Sequence, residues 1–173
     1  MQAFYHLIRK INTFLFKVSM EDKLLFLEAF FLTGIMRFKI LKKSFNKLKE
    51  EMGTYNKESK EDAELVEYKV CKKIRWIVTT ISKYTPWESL CLVQALTVQK
   101  MLKKRNIATT IYLGVNKLNN EMKAHAWIRC GKMYITGGNG SGSDRGFLHL
   151  VPKIRTAQLF SGLLRSPGFP SAV

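Results

Sequence analysis

A chain of 173 residues is long enough for one domain, or one domain with a helical extension, and too short for two large lobes. Hydrophobic residues make up 46% of it, enough for a packed core, which excludes a wholly disordered chain. Lys and Arg total 29 against 13 Asp and Glu, a formal charge of +16 that favours an acidic or polyanionic partner.

Residues 1–19 carry Arg9, Lys10 and Lys17 among their apolar side chains and show no small-residue cleavage pattern, which argues against a signal peptide. Phe4, Leu7, Ile8, Ile11, Phe14 and Leu15 recur as one face of a helix. Ser19 followed by Asp22 predicts a helix start near Met20. That helix is expected to reach about Leu48 with a bend near Gly34, setting Phe38, Leu41, Phe45 and Leu48 inward and Lys39, Lys42, Lys43 and Lys47 outward. Its apolar run is interrupted by Glu28 and falls short of the roughly 20 residues that cross a bilayer, so a buried helix is expected and no membrane contact. Phe26, Phe30, Phe31 and Trp76 are assigned to a helical core.

Residues 52–60 are polar and form the best linker. A further helix over about 59–84, with Leu65, Val66, Val70, Ile74, Ile77, Val78 and Ile81 on its apolar side, is stopped by Pro86. A helix over about 89–105 follows, then a β-branched run from Thr109 to Val115, a turn near 116–120, and two short strands over 123–129 and 132–136 about a Cys130-Gly131 turn. Helices followed by short strands define an α+β protein with a small antiparallel sheet. Five glycines crowd residues 137–146, and the last stretch lacks any period.

Three cysteines without CxxC spacing give neither a disulfide framework nor a zinc knuckle, and a reducing, cytoplasmic setting is expected. No cluster has metal-ligand spacing, and no cofactor is expected. Cys71 is assigned to the helix interior and Cys130 to an exposed turn. Cys91 is placed in the first turn of its helix, where unpaired N–H groups and the helix dipole stabilise a thiolate; a neighbouring Glu88 would oppose that. His125 lies on a strand between Ala124 and Ala126, small residues that leave room for a second group, and alternation puts Trp127 and Arg129 on its face. Singly, each has a bland reading: a small buried cysteine, or a core histidine satisfied by a hydrogen bond. Together they form a minimal nucleophile–base pair for acyl transfer. A third group should hold the imidazole tautomer. The expected register pairs Arg129 with Lys132, Trp127 with Tyr134 and His125 with Thr136, so Thr136 is one candidate and Asn139 another if the Gly137-Gly138 turn folds it back; Asp144, a backbone carbonyl, or a one-residue slip that pairs His125 with Gly137 are the alternatives.

The string Trp87…Ser89-Leu90-Cys91-Leu92…Ala95-Leu96, the basic helix end Lys103-Lys104-Arg105, the strand Leu113-Gly114-Val115, and Ala124-His125-Ala126-Trp127 resemble one family. It is the transglutaminase-like cysteine peptidases of lasso-peptide biosynthesis, and the resemblance covers about residues 86–139. It implies a papain/transglutaminase-like core, Cys91 as nucleophile and His125 as general base. It also implies removal of the leader from a ribosomally made precursor peptide, so that a separate ATP-using lasso cyclase can close the ring. The family adds an acid after the histidine strand, where this chain has Thr136-Gly137-Gly138. In its split form the family's peptidase works with a separate winged-helix leader-recognition protein. Such a partner is expected here, because the first 85 residues read as helices. The resulting layout is a helical N-terminal region over 1–58, a transglutaminase-like core over 59–140, and a loop and tail over 141–173. The alternative is a non-catalytic module of this fold that presents a basic surface to a protein or nucleic acid. Nucleic acid is the less expected partner, because neither aromatic–basic interleaving nor a recognition-helix signature occurs. The lysine-rich stretch 39–49 reads as a solvated helix face.

Overall fold

The computed structural model describes residues 18–54, 57–118 and 121–136. The amphipathic stretch before residue 18, Asn139, and the glycine-rich tail lie outside them. Among the described residues, four helices precede a three-stranded antiparallel sheet of order β1-β2-β3, the α+β arrangement expected.

Helix α1 spans Met20–Lys42. It opens where the Ser19 hydroxyl accepts a hydrogen bond from the Asp22 N–H at 3.1 Å, an N-cap that satisfies one orphan donor of the first turn. The helix runs unbroken through Gly34, whose missing side chain leaves the surface on which the Trp87 indole lies. The break comes later, at Lys43 and Ser44, both in extended conformation. Helix α2, Phe45–Met52, then folds back and buries Phe45 and Leu48. Glu51 on α2 ties the two helices through Lys39, at 2.6 Å, and Lys43. The inward assignment of Phe38 and Leu41 is overturned: they are 61% and 60% exposed, and α1 buries Phe26, Ala29, Thr33, Met36 and Ile40 instead. Phe31 and Trp76, expected in the core, are exposed as well.

Helix α3, Leu65–Ile81, starts at the first residue of its apolar pattern, six residues after the expected boundary near 59. The preceding segment is held extended beside the sheet, where the Ser59 N–H donates to Thr110 Oγ1 at 2.8 Å. Glu67 closes the start of α3 by accepting from the Glu64 N–H. Cys71, Ile74, Ile77 and Val78 are buried, while Leu65 and Val66 face solvent. The helix ends before Pro86, in a tight turn in which the Tyr84 N–H donates to the Ile81 carbonyl.

Helix α4, Cys91–Lys103, is the centre of the molecule. Leu92, Val93, Ala95, Leu96, Thr97, Val98, Met101 and Leu102 are all buried, because α1 and α3 pack on one side of α4 and strand β2 on the other. Asn106, with φ 58°, supplies the left-handed turn that releases the chain into the sheet, and the Ile107 N–H closes the helix on the Leu102 carbonyl.

Strand β1 spans Thr110–Leu118, β2 Glu121–Cys130 and β3 Met133–Thr136. β1 therefore extends through residues assigned to a turn. Gly114 lies opposite His125 and Tyr112 opposite Trp127. The β2–β3 turn is Gly131-Lys132, one residue beyond the expected position. A side chain at residue 131 would collide with Tyr68, and its φ of +54° suits glycine. An irregularity between Ile128 and Arg129 shifts the ladder further, so Arg129 pairs with Tyr134 and Ile128 with Thr136.

Candidate active site

The segment before α4 is held at Thr85, Trp87, Glu88 and Ser89. The Thr85 hydroxyl donates to the Trp87 carbonyl at 2.9 Å and lies 2.8 Å from the Ser89 hydroxyl. Gln94 reaches back from α4 to the Ser89 carbonyl at 2.8 Å. Trp87 lies against Phe30 with ring centroids 5.0 Å apart, and its indole N–H donates to Thr33 at 3.3 Å. Glu88, a potential opponent of a thiolate, is engaged with Arg37 at 2.6 Å. These contacts deliver Cys91 as the first helical residue, after an extended Leu90.

The Cys91 thiol is half-buried. Burial pushes its pKa up, and the backbone N–H groups of Ala126, Leu92 and Cys91 itself oppose that rise without cancelling it. The amides of the helix start thus act in the direction expected of them, but desolvation is the larger effect. The Ala126 N–H belongs to the peptide that joins it to His125. The backbone group that acts on the Cys91 thiol is thus next to His125 in β2, the strand on which α4 packs. The N-terminus of α4 and the middle of β2 therefore meet at the His125–Ala126 peptide.

His125 is half-buried, its ring 5.8 Å from that of Trp127 on the same face of the sheet. The opposite rung is Gly114, which places no side chain beside the imidazole. Ala126 and Ile128, on the other face, are fully buried against α4. The expected pairing of His125 with Thr136 is not observed. Thr136 stands opposite Ile128, buried, and its hydroxyl has no hydrogen-bond partner among the described residues. The physical reason is the displaced turn together with the irregularity at Ile128/Arg129.

Cys71 is buried as expected, but Cys130 is not in an exposed turn; it is 1% exposed at the end of β2. The two thiols are hydrogen-bonded to each other, and burial pushes both pKa values up. Both are packed inside the protein, whereas Cys91 is half-buried.

Arg129 was assigned only a strand face, yet it is 6% exposed. Its guanidinium donates to Tyr112 Oη at 3.0 Å, the Gly131 carbonyl at 2.6 Å, Glu58 at 2.8 Å and the Ser59 carbonyl at 3.2 Å. It clamps the segment before α3 to the strand that carries His125. Alternation gives its face correctly, beside Tyr112, but gives no sign of the clamp, because Glu58 and Ser59 are about 70 residues away in the chain.

Among the described residues, no group of three or more His, Cys, Asp or Glu is placed to hold a metal ion, and no helix is long and apolar enough to cross a membrane. Neither curated proteins nor solved structures yield a match to this chain. The family model of the transglutaminase-like superfamily, by contrast, matches residues 35–151, a span that includes Cys91, His125 and the helices behind them. With more than half of its length matched, the chain belongs to the transglutaminase-like superfamily.

Proposed function

We propose that the protein is a cysteine peptidase that removes the leader from a ribosomally made lasso-peptide precursor, with Cys91 as nucleophile and His125 as general base. The superfamily includes cysteine peptidases and transglutaminases. The observation that carries the reading is the meeting of the Cys91 sulfur with the peptide between His125 and Ala126.

The imidazole accepts the thiol proton as the sulfur attacks the scissile carbonyl, and the first-turn N–H groups of α4 stabilise the oxyanion. Collapse of the tetrahedral intermediate breaks the C–N bond, and the imidazolium gives its proton to the departing amine. Water then attacks the thioester; His125 takes one of its protons and returns it to the sulfur, releasing the carboxylate product. Because burial raises the Cys91 thiol, the resting nucleophile is a thiol, and proton transfer to His125 accompanies attack.

Asn139 is proposed as the residue that orients the imidazole. The precursor peptide and a separate leader-recognition protein are the proposed partners, with the lasso cyclase acting on the freed core peptide. The charge of +16 would speed encounter with an acidic partner.

The test is incubation with candidate precursors, with and without a recognition protein, read by mass spectrometry. The proposal expects cleavage at one junction that is lost in Cys91→Ala and His125→Ala, while Cys91→Ala still binds precursor. Binding without cleavage under every pairing would establish the non-catalytic alternative.

A further inference from the structure

Helix α1 is apolar on two opposite faces. One carries Phe26, Ala29, Thr33, Met36 and Ile40 into the core. The other carries Met20, Leu24, Leu27, Phe31, Ile35, Phe38 and Leu41, which are 48–68% exposed. These seven follow steps of three and four residues along the full helix, the spacing of a helix–helix seam. A helix that is apolar all round is ordinarily covered on all sides, and no other described element lies over this face.

We propose that the outer face of α1 pairs antiparallel with the same face of a second copy of this chain. Area and charge both favour that occupant. At roughly 110 Å² of exposed surface apiece, the seven side chains offer about 800 Å² per copy and about 1,500 Å² per pair, the size of a standard stable interface. Along the seam's edges Glu28 is engaged with Lys104 and Arg105, and Arg37 with Glu88. Glu21 at the start of the helix and Lys42 at its end are exposed and have no ion pair among the described residues. An antiparallel pair centred on Phe31 sets Glu21 of each copy beside Lys42 of the other, and Leu24 beside Phe38. A parallel pair would set like charges together. The acidic first turn, moreover, fits an anionic bilayer poorly, whereas it complements the basic last turn of a second helix.

The test is sedimentation equilibrium of the 173-residue chain over a range of micromolar concentrations, paired with cysteine cross-linking in a Cys91→Ser background. The proposal expects a dimer whose dissociation constant rises by at least about tenfold in Phe31→Glu, with the circular dichroism of the monomer unchanged because Phe31 is outside the core. Leu24→Cys should cross-link to Phe38→Cys when the two variants are mixed, and neither should cross-link to itself. A monomer at every concentration overturns the proposal, whether or not it sediments with anionic vesicles. Leu24→Cys cross-linked to itself overturns the antiparallel arrangement.

Discussion

Gly34→Ala sets two known effects against each other. In a helix, alanine is more stable than glycine by about 1 kcal/mol, so substitution at an uncovered helix position should raise stability. At residue 34, however, an added Cβ would stand 2.9 Å from Trp87 Cζ2 and 3.1 Å from Cη2, well inside the roughly 3.5–4.0 Å optimum for carbon contacts. The indole is rigid and is held by Phe30 and Thr33, so it yields only by giving up those contacts. Overpacking of this kind costs about 1–3 kcal/mol. The propensity gain offsets part of that, leaving a net loss of about 1 kcal/mol, or about 2–4 °C in Tm for a chain of this size. Thermal melts and urea unfolding of the variant measure the sign directly. The Cys91 alkylation rate should change in the same variant, because Trp87 anchors the segment that leads into α4. A rise in stability of about 1 kcal/mol would show that the indole does not lie on Gly34, and the account of how α1 positions the nucleophile would fail.

Two other expectations follow from particular contacts. Arg129→Met should lower unfolding free energy by about 3 kcal/mol, because the Gly131 and Ser59 carbonyls lose a charged donor. Glu58→Gln should cost less than about 1 kcal/mol, since Glu58 is 58% exposed; equal losses in urea titrations would mean the ion pair, not the carbonyl bonds, carries the clamp. Hydrogen bonds from Lys39 and then Lys43 lower the Glu51 pKa from 4.5 to about 2. A depressed carboxylate contributes stability above its unfolded pKa and loses it as pH falls through the folded one. Glu51→Gln should therefore remove a stability increment that wild type holds above pH 4.5 and loses toward pH 2. With the side chain 36% exposed, that increment is under about 1 kcal/mol.

Local chemistry made several elements legible in the chain itself. Ser19 marks the start of α1, and Cys91 falls in the first turn of α4, because helix starts are set by capping and by where apolar periodicity resumes. The strand bearing His125 is legible from its alternation, with Ala126 and Ile128 buried and His125 half-buried. What was not legible depends on packing at a distance. Both faces of α1 are apolar at helical spacing, so the pattern cannot say which one enters the core, and Phe38 and Leu41 were assigned to the wrong side. Gly34 looked like a hinge because its partner, Trp87, lies 53 residues away. The pairing of His125 failed for a similar reason. A one-residue displacement of the turn and one irregularity in the ladder move every later rung, and neither has a local signature.

The central claim is that Cys91 and His125 act as a pair, and the pH dependence of Cys91 alkylation in wild type and in His125→Ala tests it most directly. Peptide-mapping mass spectrometry separates Cys91 from Cys71 and Cys130. The account predicts that near neutral pH Cys91 reacts faster than either buried cysteine, that His125→Ala slows it by at least about tenfold, and that the two proteins converge at alkaline pH, where the thiol ionises unaided. Superimposable profiles for the two proteins, or labelling of Cys91 no faster than of Cys71 and Cys130, would contradict it.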